Sequence, residues 1–220
     1  MDDKKWEKYA ALGGVLFVVA NVVGAAASGE PPAPDGSAAE IAAWFTDKHD
    51  GILLSQALAG IGSIGLVWWA GTLWRRMSAA EIRPRLAVVS LLGLAMSGAL
   101  YLTANGMLAA AALRIDELGE GSQIFFALNG VLLSAAGFFV AVHVGATSAL
   151  GLRTRTLPAW LCWLGALDAL AFVVAGVIGS SSDASAAMGV GIVSFLAWSL
   201  WTLGVSVTLW RDRGPAPAAA

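Results

Sequence analysis

The sequence predicts an all-α membrane protein, a bundle of six transmembrane helices with one short amphipathic helix on its outer face. Of its 220 residues, 58% are hydrophobic and only 13% are charged, whereas soluble domains carry about 25% charged residues. The mean hydropathy is +0.73. Six apolar stretches are each long enough to cross ~30 Å of hydrocarbon as a helix, and basic residues cluster at alternate ends of these stretches.

The six spans are expected to form a single transmembrane domain, residues 1–214, followed by a disordered tail, residues 215–220. A polar loop over 114–122 and a short turn over 180–183 are expected to join neighbouring spans. The spans themselves are predicted at about residues 9–28, 52–74, 86–113, 124–150, 158–179 and 187–210.

The first span has an alternative interpretation as a cleaved signal peptide. Lysines precede it, and an Ala-Ala-Ala run at 25–27 resembles a cleavage site. Its apolar run of about 19 residues is longer than the usual apolar region of about 7–15 residues in a signal peptide. The length therefore favours a true membrane span.

A helix-start pattern lies between the first two spans. Prolines at positions 31, 32 and 34 disfavour a helix there, but Ser37 and Glu40 have the spacing of a capping box. The pattern predicts a helix that begins at Ser37. Apolar residues then recur on one face at Ile41, Trp44 and Phe45. Such an amphipathic helix is expected to lie in the outer headgroup layer.

The distribution of basic residues predicts the orientation. Of the thirteen Lys and Arg residues, only Lys48 and Arg114 fall on the side opposite the termini. Basic residues concentrate on the cytoplasmic side of membrane proteins. Both termini are therefore predicted to be cytoplasmic, in a bacterial cytoplasmic (inner) membrane. Tryptophans near this side are expected to form an interfacial belt: Trp6, Trp69, Trp74, Trp160, Trp163 and Trp210.

Polar residues in the outer third of the spans form the first candidate site. Amides occur there on four different spans, and Tyr101 lies one turn from one of them. They could converge on an outward-opening ligand pocket, with His49 and Asp50 at its mouth. Alternatively, they are interhelical hydrogen bonds that fix the register of the helices. The four amides are Asn21, Gln56, Asn105 and Asn129.

Asp168 and His143 form the second candidate site. Asp168 is the only acidic residue within a predicted span, and His143 is the only histidine within one. A carboxylate at the bilayer centre costs about 2.5–3.5 kcal/mol on insertion scales. The two helices are expected to be antiparallel neighbours, with an offset of roughly 7–8 Å between the two residues. The pair is a candidate for coupling protonation to substrate movement, and a purely structural pair is the alternative.

Several kinds of chemistry lack their sequence patterns. There is no HExxH, CxxC or GxSxG motif, and the single cysteine, Cys162, is expected to be a buried apolar residue. The two histidines belong to opposite halves of the predicted bundle, which disfavours a bis-histidine haem. We therefore expect no cofactor and no metal. No basic tract with interleaved aromatic residues indicates nucleic-acid binding.

Small residues recur at i+4 intervals on several spans, and these ladders are expected to pack against other helices. The longest ladder is on the fourth span, at Gly137, Ala141, Gly145 and Ala149, and a shorter one begins at Ala171 on the fifth. Neighbouring spans of the same chain are the simplest partners. Alternatively, the ladders face another subunit.

Three functions remain open from the sequence. The first is binding or transport of a small molecule or lipid through the outer pocket. The second is an accessory subunit of a larger membrane complex, and a homo-oligomer is left open as well. The third is an enzyme that acts on a lipid or isoprenoid, with Asp168 or Asp50 as general acid. The sequence favours a non-enzymatic role, because no paired catalytic groups stand out. The expected partners are the lipid bilayer and a lipid or small apolar ligand.

The stretch EIAAWFTDKHD at residues 40–50, followed by a Gly- and Ala-rich span that ends in Trp74-Arg75-Arg76, carries a family resemblance. It resembles uncharacterised small multi-pass membrane proteins of actinobacterial type, grouped as domains of unknown function. In those proteins too, a Pro/Gly loop leads to a similar outer helix and then to a span with a basic end. The resemblance covers about residues 10–76 and implies the six-helix arrangement and a bacterial inner membrane. It implies no activity and no site residues.

Overall fold

The computed structural model describes residues 3–179 and 184–211, with side chains for 5–179 and 188–211. The predicted turn at 180–183 and the predicted tail at 215–220 lie outside the described residues. Within the described residues the fold is all-α. The helices are α1 (Asp3–Ala11), α2 (Gly13–Ser28), α3 (Ala38–Asp47), α4 (His49–Ala79), α5 (Arg85–Leu113), α6 (Ile115–Leu118), α7 (Ser122–Thr154), α8 (Ala159–Gly179) and α9 (Ala184–Arg211).

Six segments are long and apolar enough to cross a membrane, which confirms the predicted bundle. They are Lys5–Ser28, His49–Ala79, Arg85–Leu113, Ile115–Thr154, Ala159–Gly179 and Met188–Arg211. The first segment is interrupted at Leu12, between α1 and α2. The predicted polar loop at 114–122 instead contains α6 and a short 3-10 turn. Gly119, the first residue of the 3-10 turn, has a positive φ of 50°, a conformation that glycine adopts without steric cost.

The six spans pack as a closed ring in chain order. Each span contacts the spans before and after it, and α9 contacts α1 and α2 to close the ring. Successive spans run antiparallel. The connections at 80–84 and 155–158 therefore lie at the same end of the bundle as the start of the first span. We call the end that carries Lys5, Arg75 and Arg155 the basic end, and the opposite end, covered by α3, the α3 end. That the basic end faces the cytoplasm remains a prediction.

The capping box at the start of α3 forms as the sequence predicts. The Ser37 side chain accepts a hydrogen bond from the Glu40 backbone N–H, and the Glu40 carboxylate accepts one from the Ser37 backbone N–H at 2.9 Å. Ile41 and Phe45 on the next turns are fully buried. They pack in one cluster with Ile52 of α4 and with Ala111 and Ala112 of α5. The apolar face of α3 is therefore fixed onto the ends of neighbouring spans.

Removing this cap should loosen α3 without disturbing the bundle. We expect Ser37→Ala to destabilise α3 by about 1 kcal/mol, because the helix loses a side-chain acceptor for an N-terminal N–H. Faster amide hydrogen exchange within 38–47, with unchanged exchange in α5, would be the expected readout. Thr46→Ala is a matched control, because the Thr46 hydroxyl only donates to the Ala42 carbonyl inside the same helix. Equal exchange in both variants would contradict the prediction.

Glycines mark the closest approaches between helices. A Cβ atom on Gly13 would lie 2.0 Å from the carbonyl oxygen of Gly65, so α2 and α4 touch backbone to backbone. On the predicted α7 ladder, Gly137 faces Phe172 and Gly145 faces Ala169, both on α8. This part of the ladder packs within the chain, and the alternative in which Gly137 faces a partner subunit is wrong.

The predicted tryptophan belt requires one correction. Trp69 has no exposed surface and lies in the core of the bundle. It faces inward because α4 turns this side toward α7 and α9, where two other aromatic rings pack on it. The remaining belt candidates are exposed: Trp6, Trp74, Trp160, Trp163 and Trp210.

Candidate functional site

The structure brings two of the outer candidates together. The Tyr101 hydroxyl of α5 donates a hydrogen bond to the side-chain oxygen of Asn21 on α2. The amide nitrogen of Asn21 donates in turn to the Phe17 carbonyl, one turn earlier in its own helix, at 2.9 Å. Both polar ends of Asn21 are thus used, and the pair ties α2 to α5.

Two of the other outer amides donate hydrogen bonds to backbone carbonyls. Asn129 of α7 donates to the Ala104 carbonyl of α5 at 2.9 Å, and Asn105 donates to the Tyr101 carbonyl in its own helix at 2.9 Å. The side-chain oxygen of Gln56 is buried and has no hydrogen-bond partner among the described residues. The Asn129 bond ties α7 to α5, whereas the Asn105 bond stays within α5, and Gln56 keeps a buried acceptor open.

The predicted mouth residues lie where α3 meets α4. The His49 ring nitrogen Nδ1 is 2.8 Å from a carboxylate oxygen of Asp50, and the Asp50 side chain is fully exposed. The two residues therefore pair with each other at the surface of the α3 end.

Four helices meet at a deeper polar group, the His143 ring. His143 is 1% exposed, and its Nδ1 lies 2.9 Å from the Ser90 hydroxyl and 3.1 Å from the Ser90 carbonyl oxygen. A carbonyl oxygen only accepts hydrogen bonds, so Nδ1 carries a proton. In the neutral ring the lone pair is then on Nε2, which is buried without a partner among the described residues.

Hydroxyl groups extend this network along α5 and α7. The Ser90 hydroxyl is 2.8 Å from that of Thr147, and Thr147 donates to the His143 carbonyl at 2.8 Å. All three residues are buried. The network fixes the orientation of the imidazole. In histidines that bind a metal or transfer a proton through one ring nitrogen, a hydrogen bond at the other nitrogen typically fixes the ring in this way.

Two tryptophans enclose the free side of the imidazole. The ring centroids of Trp69 and Trp201 lie 6.1 and 5.7 Å from that of His143, and 6.3 Å from each other. Neither indole N–H has a hydrogen-bond partner among the described residues. The side chains thus hold a protonatable group inside an aromatic enclosure.

Asp168 lies on the bundle-facing side of α8. Its side chain is 3% exposed, and neither carboxyl oxygen has a hydrogen-bond partner among the described residues. The direct pair with His143 is therefore not formed. A buried carboxyl without a donor is costly as a carboxylate in an apolar surrounding, and this makes Asp168 the most unusual polar group in the described chain.

The level of Asp168 differs from the sequence-based expectation. On its two sides, the Gly165 position faces Val144 and Ser148, and Ala169 faces Gly145. Asp168 therefore lies within about one helical turn, or 5.4 Å, of the level of His143, closer than the predicted 7–8 Å. No hydrogen bond joins the two groups within the part of the chain that the structure describes.

An indole group of α9 lies about one turn from Asp168 on the same face of α8. A Cβ atom at Gly165, one turn away on the same face, would lie 2.6 Å from Nε1 of Trp201. Because α8 and α9 are antiparallel, the register set by Gly165 and Trp201 puts Trp198 opposite Asp168. Trp198 is buried, and its indole N–H also lacks a partner among the described residues. We call Asp168, His143, Trp69, Trp198 and Trp201 the core site.

A narrow cleft between α4 and α5 reaches the core site from the lipid-facing surface. Its volume is about 10 Å³, and Ser90, His143, Leu73 and Leu91 are among its lining residues. A space of about 10–15 Å³ is the minimum that holds one water molecule. The cleft therefore has room for water or protons and is too small for an organic ligand in this conformation.

Sequence reasoning identified Asp168 and His143 but missed their surroundings. Ser90 and Thr147 are ordinary small polar residues in a span, and nothing in their spacing singles them out. Trp198 and Trp201 could have been found, because tryptophans usually lie at the membrane interface and these two lie well inside the last span.

The core site can perform acid–base chemistry away from bulk water. It combines a carboxyl group, an imidazole lone pair and electron-rich aromatic faces, which attract cations. No protein-family model, no curated protein and no solved structure matches the chain.

Proposed function

We propose that this multi-pass integral membrane protein binds a small organic cation at the core site and exchanges it for a proton. The observation that carries the proposal is Asp168, a buried carboxyl group at the middle of a span with no partner for either oxygen among the described residues. Intramembrane acidic residues face bundle interiors and accompany ion or substrate pathways. A proton and a cation are the two occupants that can neutralise such a group.

The aromatic surroundings favour an organic cation over a metal ion. Trp198 and Trp201 lie at or next to the level of Asp168, and an indole face attracts a cation by about 0.5–2 kcal/mol. A small inorganic ion would instead require several oxygen ligands. A cation with apolar substituents can satisfy the carboxylate and the rings together.

The closed conformation corresponds to the proton-bound form in this scheme. The core is packed, and the cleft at His143 admits about one water molecule. When Asp168 releases its proton, the uncompensated carboxylate favours separation of the helices and entrance of a cation. The released proton leaves the site for bulk solution, so that cation binding and proton release are coupled.

The outer candidates supply the route to this site in our proposal. Gln56, Asn129 and the pair of Asn21 and Tyr101 lie between the α3 end and the core site, and α3 covers this end of the bundle. A cation that enters there would meet amide oxygens before it meets Asp168. The predicted outer pocket thus becomes a passage rather than the final binding site.

Tetraethylammonium is a suitable probe, because it is a small cation with apolar substituents. We expect the purified chain, in weakly buffered detergent solution, to release protons when tetraethylammonium binds. Asp168→Asn should weaken binding by about 30-fold or more, as when one partner of a buried charge pair is removed. It should also abolish the proton release, whereas Asp168→Glu should keep part of both. Calorimetry and a pH indicator measure the two effects.

Asp116→Asn is the matched control, because this acid is exposed in α6 at the α3 end. It should bind the probe and release protons as the native chain does. Asp168→Asn should unfold at no lower temperature than the native chain, because an amide replaces a carboxyl that makes no hydrogen bond. Native-like binding by Asp168→Asn, or no binding by the native chain, would overturn the proposal.

A further inference from the structure

A further feature lies on the outer surface of the ring, on spans other than the one that carries Asp168. An apolar groove of about 280 Å³ runs between the first span and α4. Trp6, Tyr9 and Leu16 form one wall, Ile64 and Trp68 form the other, and all five are exposed. The backbone contact of Gly13 with Gly65 forms its floor.

The length and position of the groove match one leaflet of a bilayer. From Trp6 to Leu16 is ten residues, or about 15 Å along a helix, which is half of the ~30 Å hydrocarbon thickness. The groove begins at the basic end, where Trp6 packs edge-on against Trp68 with ring centroids 5.0 Å apart. It therefore extends from the interface toward the bilayer centre, as an acyl chain does.

Positive charge lies at the interfacial mouth of the groove. Lys5 is on the same helix face as Tyr9, and Lys8 is on that of Leu12, each four residues apart. Both lysines are exposed and form no ion pair with a described residue. The nearby acid Glu7 is already paired with Arg75 of α4, so its charge is compensated.

We propose that this groove binds an anionic phospholipid of the leaflet at the basic end. One acyl chain lies between Leu16 and Ile64, and the phosphate group contacts Lys5 and Lys8. Basic residues beside grooves between spans are typical of sites for anionic headgroups. The site is independent of the core site and of the proposed cation exchange.

Native mass spectrometry of the full chain tests the headgroup contact. Dioleoyl-phosphatidylglycerol and dioleoyl-phosphatidylcholine, which share their acyl chains, are added at equal concentrations. We expect phosphatidylglycerol to be retained preferentially. Because each lysine near an anionic headgroup contributes about fivefold in affinity, the double variant Lys5→Gln/Lys8→Gln should lose this preference. Lys48→Gln at the opposite end should keep it.

A second pair of variants tests the acyl-chain contact. Ile64→Trp fills the groove without a change of charge and should reduce the retention of both lipids. Val177→Trp on α8 is its control, since Val177 is 60% exposed and Ile64 63%. Thermal unfolding confirms that each variant is folded. Equal retention of the two lipids by the native chain would overturn the proposal, as would equal losses in test and control variants.

Discussion

Gly13→Ala is expected to lower the free energy of unfolding by about 1–3 kcal/mol, the usual cost of an overpacked interior. The new methyl group would lie 2.0 Å from the Gly65 carbonyl oxygen, which belongs to the backbone of α4 and cannot rotate away. The two spans must therefore separate. Close approach of small residues is what holds such helices together, because lipid supplies no hydrophobic driving force between them.

Two other glycine-to-alanine variants control for the effect of adding a methyl group to a helix. Gly65→Ala should be milder, because its new methyl group would lie 2.8 Å from the Gly13 carbonyl oxygen. Gly71→Ala, on the same helix, meets nothing within 4 Å and should be neutral or stabilising by about 0.5–1 kcal/mol, since alanine favours helices. Unfolding by titration with a denaturing detergent, followed by circular dichroism, measures all three. Equal stabilities would refute the close approach.

Trp69→Ala is expected to destabilise the protein by about 3 kcal/mol, the lower end of the range for buried tryptophans. Trp69 has no exposed surface and packs on both His143 and Trp201. Its removal leaves a cavity beside the imidazole. We choose the lower end because part of the usual cost is transfer of apolar surface from water, and membrane helices lack that term.

The control for Trp69→Ala is Trp163→Ala, because Trp163 is 61% exposed on α8. This variant should change stability by no more than about 0.5 kcal/mol. Trp69→Phe should recover part of the loss, since a ring still fills the site. The same detergent titration compares the variants. A Trp163 variant as unstable as the Trp69 variant would show that burial of Trp69 does not determine its contribution.

These two predictions show what the sequence could and could not provide. Hydropathy located the spans, because any segment that crosses hydrocarbon must be apolar over about twenty residues. The capping box located α3, because Ser37 and Glu40 satisfy specific backbone groups. No comparable sequence pattern indicates which side chains lie in the interior of the ring. Its spans are apolar on all sides, so hydropathy does not indicate which face of a span is buried.

Trp69 and the glycines illustrate the missing information. A tryptophan near the end of a span has the same local sequence whether it faces the interface or the core, and Trp69 faces the core. Gly13 and Gly71 are equally ordinary in sequence, yet only Gly13 touches another backbone. The surroundings of Asp168 depend likewise on how far each helix is rotated, which only contacts between spans reveal.

The closed ring in chain order has a consequence for how the protein is made. Each newly synthesised span can settle against the one just before it, so nearly all pairings are available as the ribosome proceeds. The seam between α9 and the first span is the exception, because it joins segments about 180 residues apart in the sequence. Until the last span is inserted, we expect the ring of helices to be open between α8 and the first span. Asp168 would then face lipid through this opening.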